Sequence, residues 1–192
     1  MKKKLKKLQS SNDKTKYSIV DDDVFETIQE MGLKFCVRPK GYFYSTKWIQ
    51  LPGMEKKKCL LLHRFVFTLK TGTEPMSTVD HIDRNPANNM FSNLRLATIK
   101  QQNRHRGKKK NNTSGYIGVC YYHKVSKYKN KTYENDYWYS SIQRPDGYHE
   151  AKYFSYTPEG LLEAAKYYDQ KAIEYFGEFH GELNFPSSSD RQ

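Results

Sequence analysis

Residues 104–112 read Arg-His-Arg-Gly-Lys-Lys-Lys-Asn-Asn and offer no apolar side chain to a core. A basic run of this kind, with Gly and Asn in it, is a linker that can lie along a phosphate backbone. It divides a chain of 192 residues whose hydrophobic content, 36%, is too low for one thick core, so two small modules are expected. The parse is a basic disordered tail over 1–16, a β-rich first module over 17–106 centred on about 62–106, a basic linker over 107–111, a second module over 112–186 and a tail over 187–192.

The formal charge of +12 favours a polyanionic partner, because Lys and Arg clusters gain affinity by releasing counterions from phosphates. Arg104, Arg106, Lys108, Lys109 and Lys110 are candidates for such contacts. No apolar stretch approaches the length of a bilayer span and no signal-peptide core is present, so the reading is a soluble intracellular protein without a membrane partner. Cys36, Cys59 and Cys120 are odd in number, far apart and without a Cys-x-x-Cys pair, which argues for free thiols. The 16 tyrosines suit either a thin core or a nucleic-acid surface, and the count does not choose.

Residues 1–8 carry five lysines and 9–16 stay polar, so this segment is expected to remain an unfolded tail: a DNA arm, an import signal or a solvated end. Asp21, Asp22 and Asp23 precede Val24, Phe25 and Ile28 at helical spacing, and read as acids at the positive end of a short helix rather than as metal ligands. Residues 34–37, 42–48 and 59–67 read as strands, with turns at Arg38-Pro39-Lys40-Gly41 and Leu51-Pro52-Gly53. The last of them carries His63, read as a core histidine, and Arg64, a phosphate-binding candidate.

The centre of the first module is Val79-Asp80-His81-Ile82-Asp83. A histidine flanked by carboxylates, with Val before and Ile after, reads as the end of a short strand that pushes polar groups out of an apolar wall. That placement suits metal-assisted hydrolysis: Asp80 can give a hard oxygen to a divalent cation, while His81, on the opposite side of the strand, takes a proton from water. The run Arg84-Asn85-Pro86-Ala87-Asn88-Asn89 cannot continue a strand, so the chain turns. Ser92 or Asn93 then offers an N-cap to a helix expected from near Leu94, with Leu96 and Ile99 on its apolar side and Gln102, Asn103 and His105 toward its far end.

His63-Arg64, Asp80-His81-Ile82-Asp83, Asn88-Asn89, Asn93-Leu94-Arg95 and the Gln/Asn-rich helix together resemble the HNH homing-endonuclease family, whose catalytic unit is the ββα-metal fold. The resemblance implies Asp80 as first metal ligand, His81 as general base, Asn93 as the residue that ties down the loop between strand and helix, and His63 as a structural member of the motif. It further implies one divalent cation, Mg²⁺ or else Mn²⁺, and double-stranded DNA as substrate, with Arg64 and Arg95 among its contacts and no small-molecule substrate. The second ligand of the family is usually an asparagine on the helix; an ungapped count from Asn93 reaches Gln102, with Asn103 one residue later. One residue rotates a helix face by about 100°, so only one of the two can point at the ion, and both stand as candidates. A phage, viral or mobile-element protein acting in host cytoplasm or nucleus is implied, and the alternative is a non-catalytic DNA-binding regulator with a decayed site.

In the second module, Tyr116-Ile117-Gly118-Val119, Trp138, Ile142, Tyr153-Phe154, a helix over 158–176 and Leu183-Asn184-Phe185-Pro186 resemble the ethylene-response-factor DNA-binding domain, a three-stranded antiparallel sheet backed by one helix. The residues carry the same shape: Thr157 caps the helix, Pro158 sits in its first turn, and Leu161, Ala165, Tyr168, Ala172 and Phe176 share a face. Trp138, Ser140 and Ile142 alternate with Tyr139, Ser141 and Gln143, so one sheet face covers the helix and the other meets DNA. Where that family carries base-reading arginines this chain has Cys120, Tyr139 and Ser141, and Tyr139 and Lys152 join the DNA-contact candidates. A long connection over 123–136, with Lys124, Lys127, Lys129 and Lys131, is expected between the first two strands. The fold class is therefore α+β: a β-rich region leading into a ββα-metal nuclease, then a three-stranded sheet on a helix.

Overall fold

A computed structural model of the chain describes residues 5–104 and 111–187, which fall into two compact units dividing between Gln102 and Asn103. The architecture is mixed α and β, with small antiparallel sheets and four α-helices among the described residues. None of those helices is long and apolar enough to cross a membrane. Cys36, Cys59 and Cys120 are free thiols.

The first unit opens with strands β1 (Leu5–Gln9) and β2 (Tyr17–Asp21), paired antiparallel from Leu5↔Asp21 to Gln9↔Tyr17. Over the described residues 5–16 this corrects the unfolded tail expected over 1–16. Composition counts side chains, but a strand is held by its backbone ladder, and one inward apolar residue, Leu8, anchors it in the core. Ser10 is buried beyond it, its hydroxyl accepting from the Val37 amide. Helix α1 (Asp22–Glu30) follows, with Asp22 and Asp23 in its first turn and Val24 and Ile28 fully buried. Strands β3 (Phe35–Val37) and β4 (Phe43–Ser45) form a second small hairpin.

Residues 62–67, expected as part of a strand, instead begin helix α2 (Leu62–Thr71), which ends on Gly72 in the left-handed conformation at φ 71°. An apolar run buried on nearly every side has no readable period, and here Leu62, His63, Phe65, Val66 and Thr68 are all buried. Each such fully buried aliphatic or aromatic side chain contributes about 1.5–3 kcal/mol. Strand β5 (Thr78–His81) then pairs with β6 (Leu94–Ala97), where a helix was expected. The helix α3 (Ile99–Arg104) starts later, at a capping box: Thr98 Oγ1 accepts from the Gln101 amide and Gln101 Oε1 from the Thr98 amide.

The second unit is a three-stranded antiparallel sheet in the order β7 (Val119–Tyr128), β8 (Lys131–Gln143), β9 (His149–Ser155), followed by helix α4 (Pro158–Phe176). The long connection expected over 123–136 is instead continuous hairpin, closed by Lys129 and Asn130 with φ of 44° and 61°, the left-handed pair of a tight two-residue turn. Ala164, Ala165 and Ala172 on α4 are fully buried, so the helix axis lies close over Val119, Ser140 and Ile142. Thr157 caps α4 through the Gly160 amide. Asn184 and Asp169 close the unit: the Asn184 side chain bonds both the amide and the carbonyl of Ile117, and Asp169 accepts from the amides of Asn184 and Phe185.

Candidate active site

The register of β5 on β6 places Asp80 opposite Arg95 and His81 opposite Leu94. Asp80 and His81 are both buried, and the Arg95 guanidinium stands 3.4 Å from Asp80 Oδ2. His63, on α2, is buried with its ring centroid 5.0 Å from that of His81, and Tyr42 packs at 5.8 Å from His63 and 6.1 Å from His81. Burial, reinforced by the like charges of His81 and Arg64, pushes the His63 pKa down to about 3. His63 is therefore neutral in the fold at physiological pH, a packed wall beside His81.

The orientation of His81 is set by a residue to which sequence reading assigned no role. Asn89 is buried, and its amide nitrogen donates to Ser18 Oγ at 2.8 Å and to the Pro86 carbonyl at 2.9 Å. Both donors being directed there, its Oδ1 faces His81 Nε2 at 3.1 Å. A neutral His81 accordingly carries its hydrogen on Nε2, which makes Nδ1 the proton-accepting nitrogen. The loop that holds Asn89 is pinned to β2 by the Ile19 amide on the Ala87 carbonyl, the Asn89 amide on the Ile19 carbonyl and Ser18 Oγ on the Ala87 carbonyl. Phe91 adds its amide to Asp21 Oδ2. The N-terminal hairpin thus braces the loop from 71 residues away in sequence. The double asparagine at 88 and 89 is the visible signal: it belongs to the turn and to the motif's pattern, with no individual role for Asn89 attached to it.

Asn93 knots the other side of the loop. Its side chain donates to Asp83 Oδ1 and to the Asn88 carbonyl and accepts from the Asp83 amide, while Asp83 also takes the Asn85 amide and the Asn88 side chain. The loop it ties joins two strands, not a strand and a helix. Arg64, expected on a phosphate, spends its guanidinium on the Ser77 carbonyl at 3.1 Å, the Pro75 carbonyl at 2.7 Å and Glu74 at 3.6 Å. It holds the loop between α2 and β5.

A cavity of about 270 Å³ is lined by Tyr42, Tyr44, Leu61, His63, Arg64, Thr78, Val79 and Gln102. Of the two amide candidates, Gln102 is on this wall and Asn103, one residue on, is exposed. A cation of the Mg²⁺ kind takes hard oxygens, one or two of them carboxylate and the rest water and substrate phosphate. Asp80 offers a carboxylate oxygen and Gln102 an amide oxygen to such an ion; Gln102 lines the cavity with Thr78 and Val79 of β5, whereas Asp80 and His81 of the same strand are not in its lining. Among the described residues no group of three or more His, Cys, Asp or Glu could hold a metal, so amide, water and phosphate oxygens would complete the shell.

The remaining candidates are dispersed. The Arg104 guanidinium stacks on the Phe176 ring at 4.1 Å. Lys152, a DNA-contact candidate, lies on the helix side of its sheet, over Phe154 at 5.2 Å and Tyr167 at 5.3 Å. Tyr139 is on the open face, in contact with Tyr122 and Tyr153. Arg106, Lys108, Lys109 and Lys110, with His105, lie outside the described residues.

Residues 60–104 match the family model described as HNH endonuclease. The chain is 32% identical over 188 residues, spanning 89% of this chain and 87% of the relative, to a protein of Acanthamoeba polyphaga mimivirus named "Uncharacterized HNH endonuclease L560". No solved structure matches.

Proposed function

The chain belongs to the HNH endonuclease family, and from that premise we propose that it is a homing-type endonuclease that hydrolyses phosphodiester bonds of double-stranded DNA with one divalent metal. The observation that carries this reading is the bond from His81 Nε2 to Asn89 Oδ1, which leaves Nδ1 as the basic nitrogen of a buried imidazole next to a carboxylate. His81 takes the proton of the attacking water at Nδ1. Asn89 keeps the ring in that tautomer and stabilises the imidazolium that forms, since its Oδ1 accepts in either state. Asp80 and Gln102 would hold the cation, Mg²⁺ or Mn²⁺, which when bound stabilises charge on the phosphate and the leaving oxygen. Arg95, opposite Asp80 on the paired strand, meets the same phosphate.

The second unit serves as a DNA anchor in this reading. Its three-stranded sheet with a single helix supports the likeness to the ethylene-response-factor domain. The match to the HNH family model ends at residue 104, and the likeness of the second unit rests on its own residues and topology. The viral relative is in keeping with a viral or mobile-element origin.

The test is Asp80→Ala. Cleavage of duplex DNA in Mg²⁺ should be abolished, while affinity for the same duplex in EDTA stays within about twofold, because affinity rests on many basic contacts elsewhere. Cutting at the wild-type rate by this variant removes Asp80 from the site.

A further inference from the structure

One side of the second unit's sheet is left open by its helix. The pairing register and strand alternation turn Val119, Trp138, Ser140, Ile142 and Phe154 toward α4, and put Cys120, Tyr122, Tyr137, Tyr139, Ser141 and Tyr153 on the opposite side. Four of these tyrosines form one connected cluster across all three strands. Tyr153 stands 5.3 Å from Tyr122, 5.0 Å from Tyr139 and 5.7 Å from Tyr137 by ring centroids, and Tyr122 stands 6.0 Å from Tyr139. Tyr122 and Tyr153 are 40% and 50% exposed, so the cluster is a surface and not a core.

Charge is sorted between the two sides. Glu134, Asp136 and Glu150, the only carboxylates in the three strands, all alternate onto the helix side. There Asp136 accepts from the Tyr121 hydroxyl and meets His123, and Glu150 accepts from the hydroxyls of Tyr167 and Tyr175. The open side holds Lys124 and Lys131 and no acid from any of the three strands, all of whose residues are described. A partner for this side is therefore anionic and offers flat rings. In a duplex the bases are stacked on one another and present only their edges, which long donors such as arginine read. The faces of bases are open to aromatic side chains only in an unpaired strand.

We propose that this open face binds single-stranded nucleic acid, its tyrosines stacking on unpaired bases and Lys124 and Lys131 taking the phosphates. Recognition by stacking is tolerant of sequence, since every base has such a face. The site is distinct from the nuclease site and does not depend on its being active.

Two measurements on the full chain in EDTA test it. Anisotropy of a fluorescein-labelled 12-nucleotide oligothymidylate should report binding that weakens about tenfold to a hundredfold in Tyr139→Ala/Tyr153→Ala and stays within about twofold in Tyr139→Phe/Tyr153→Phe, with a smaller loss for a 12-bp duplex in the alanine pair. The second measurement uses the unmutated protein. Cys120 is exposed on the same face, its Sγ 3.6 Å from the Tyr139 carbonyl, so saturating oligothymidylate should slow its alkylation while the exposed Cys59 reacts as before. Unchanged affinity in the alanine pair, equal losses for single strand and duplex, a phenylalanine pair as weak as the alanine pair, or Cys120 alkylation unaffected by bound oligonucleotide would each overturn the proposal.

Discussion

In the proposed reaction His81 acts through the ring nitrogen that lacks a hydrogen, and Asn89 decides which one that is because both its donors are committed to Ser18 and Pro86. The motif around Asp80 and His81 is legible in sequence because the two chemical groups adjoin along one strand. Their partners are legible only in part: His63, on α2, belongs to the motif's pattern, whereas Ser18 reaches the site from β2 and no spacing rule links it to residue 81. His63 carries a pH signature. Its folded pKa lies near 3 against an ordinary 6.5, so between those values the unfolded chain binds a proton that the fold refuses. Stability contributed by neutral His63 is thus intact above about pH 6.5 and falls by about 1.4 kcal/mol for each pH unit of acidification down through the window. Denaturant unfolding at pH 7 and pH 4.5 should show a smaller loss in His63→Phe than in the wild type; equal losses would place His63 in contact with solvent.

Elements were read best where period and caps agreed. Helix α4 runs from its Thr157 cap and Pro158 to Gly177 as its sequence predicts, because its small and apolar residues recur on one face and its ends carry the right chemistry. Helix α2 and strand β6 were exchanged in type for opposite reasons. The run containing α2 is apolar on too many sides to have a period, and Leu94-Arg-Leu-Ala is too short to have one, while the Thr98 and Gln101 capping box that marks the true start of α3 was passed over. Gly118, with φ of 72°, lies so close to α4 that a Cβ there would stand 1.9 Å from the ring of Tyr168. Gly118→Ala should destabilise the second unit by about 2–4 kcal/mol, through left-handed strain and displacement of that ring together. Thermal unfolding followed by near-UV circular dichroism measures it, and a variant as stable as the wild type would mean that α4 does not seat against Gly118.

At the scale of the whole molecule, composition argues for two thin-cored modules and a polyanionic partner; the described residues fall into two compact units, each with buried apolar residues of its own. Composition failed at the N-terminus, where a lysine-rich segment forms β1 because its backbone completes a ladder and only Leu8 needs burial. The bonds to the loop of Asn89 come from Ser18, Ile19 and Asp21 of β2, and the segment expected to be a tail pairs with that strand through β1. Likeness to the viral relative runs over 89% of the chain and so includes residues of both units. The most direct measurement is incubation of supercoiled plasmid with Mg²⁺ and either the wild type or His81→Ala. Conversion of the plasmid to nicked or linear form by the wild type, lowered by at least about a hundredfold in the variant, is the predicted result. An inert wild type, or a His81→Ala protein that cuts as fast, would contradict the assignment of His81 as the base of an active nuclease.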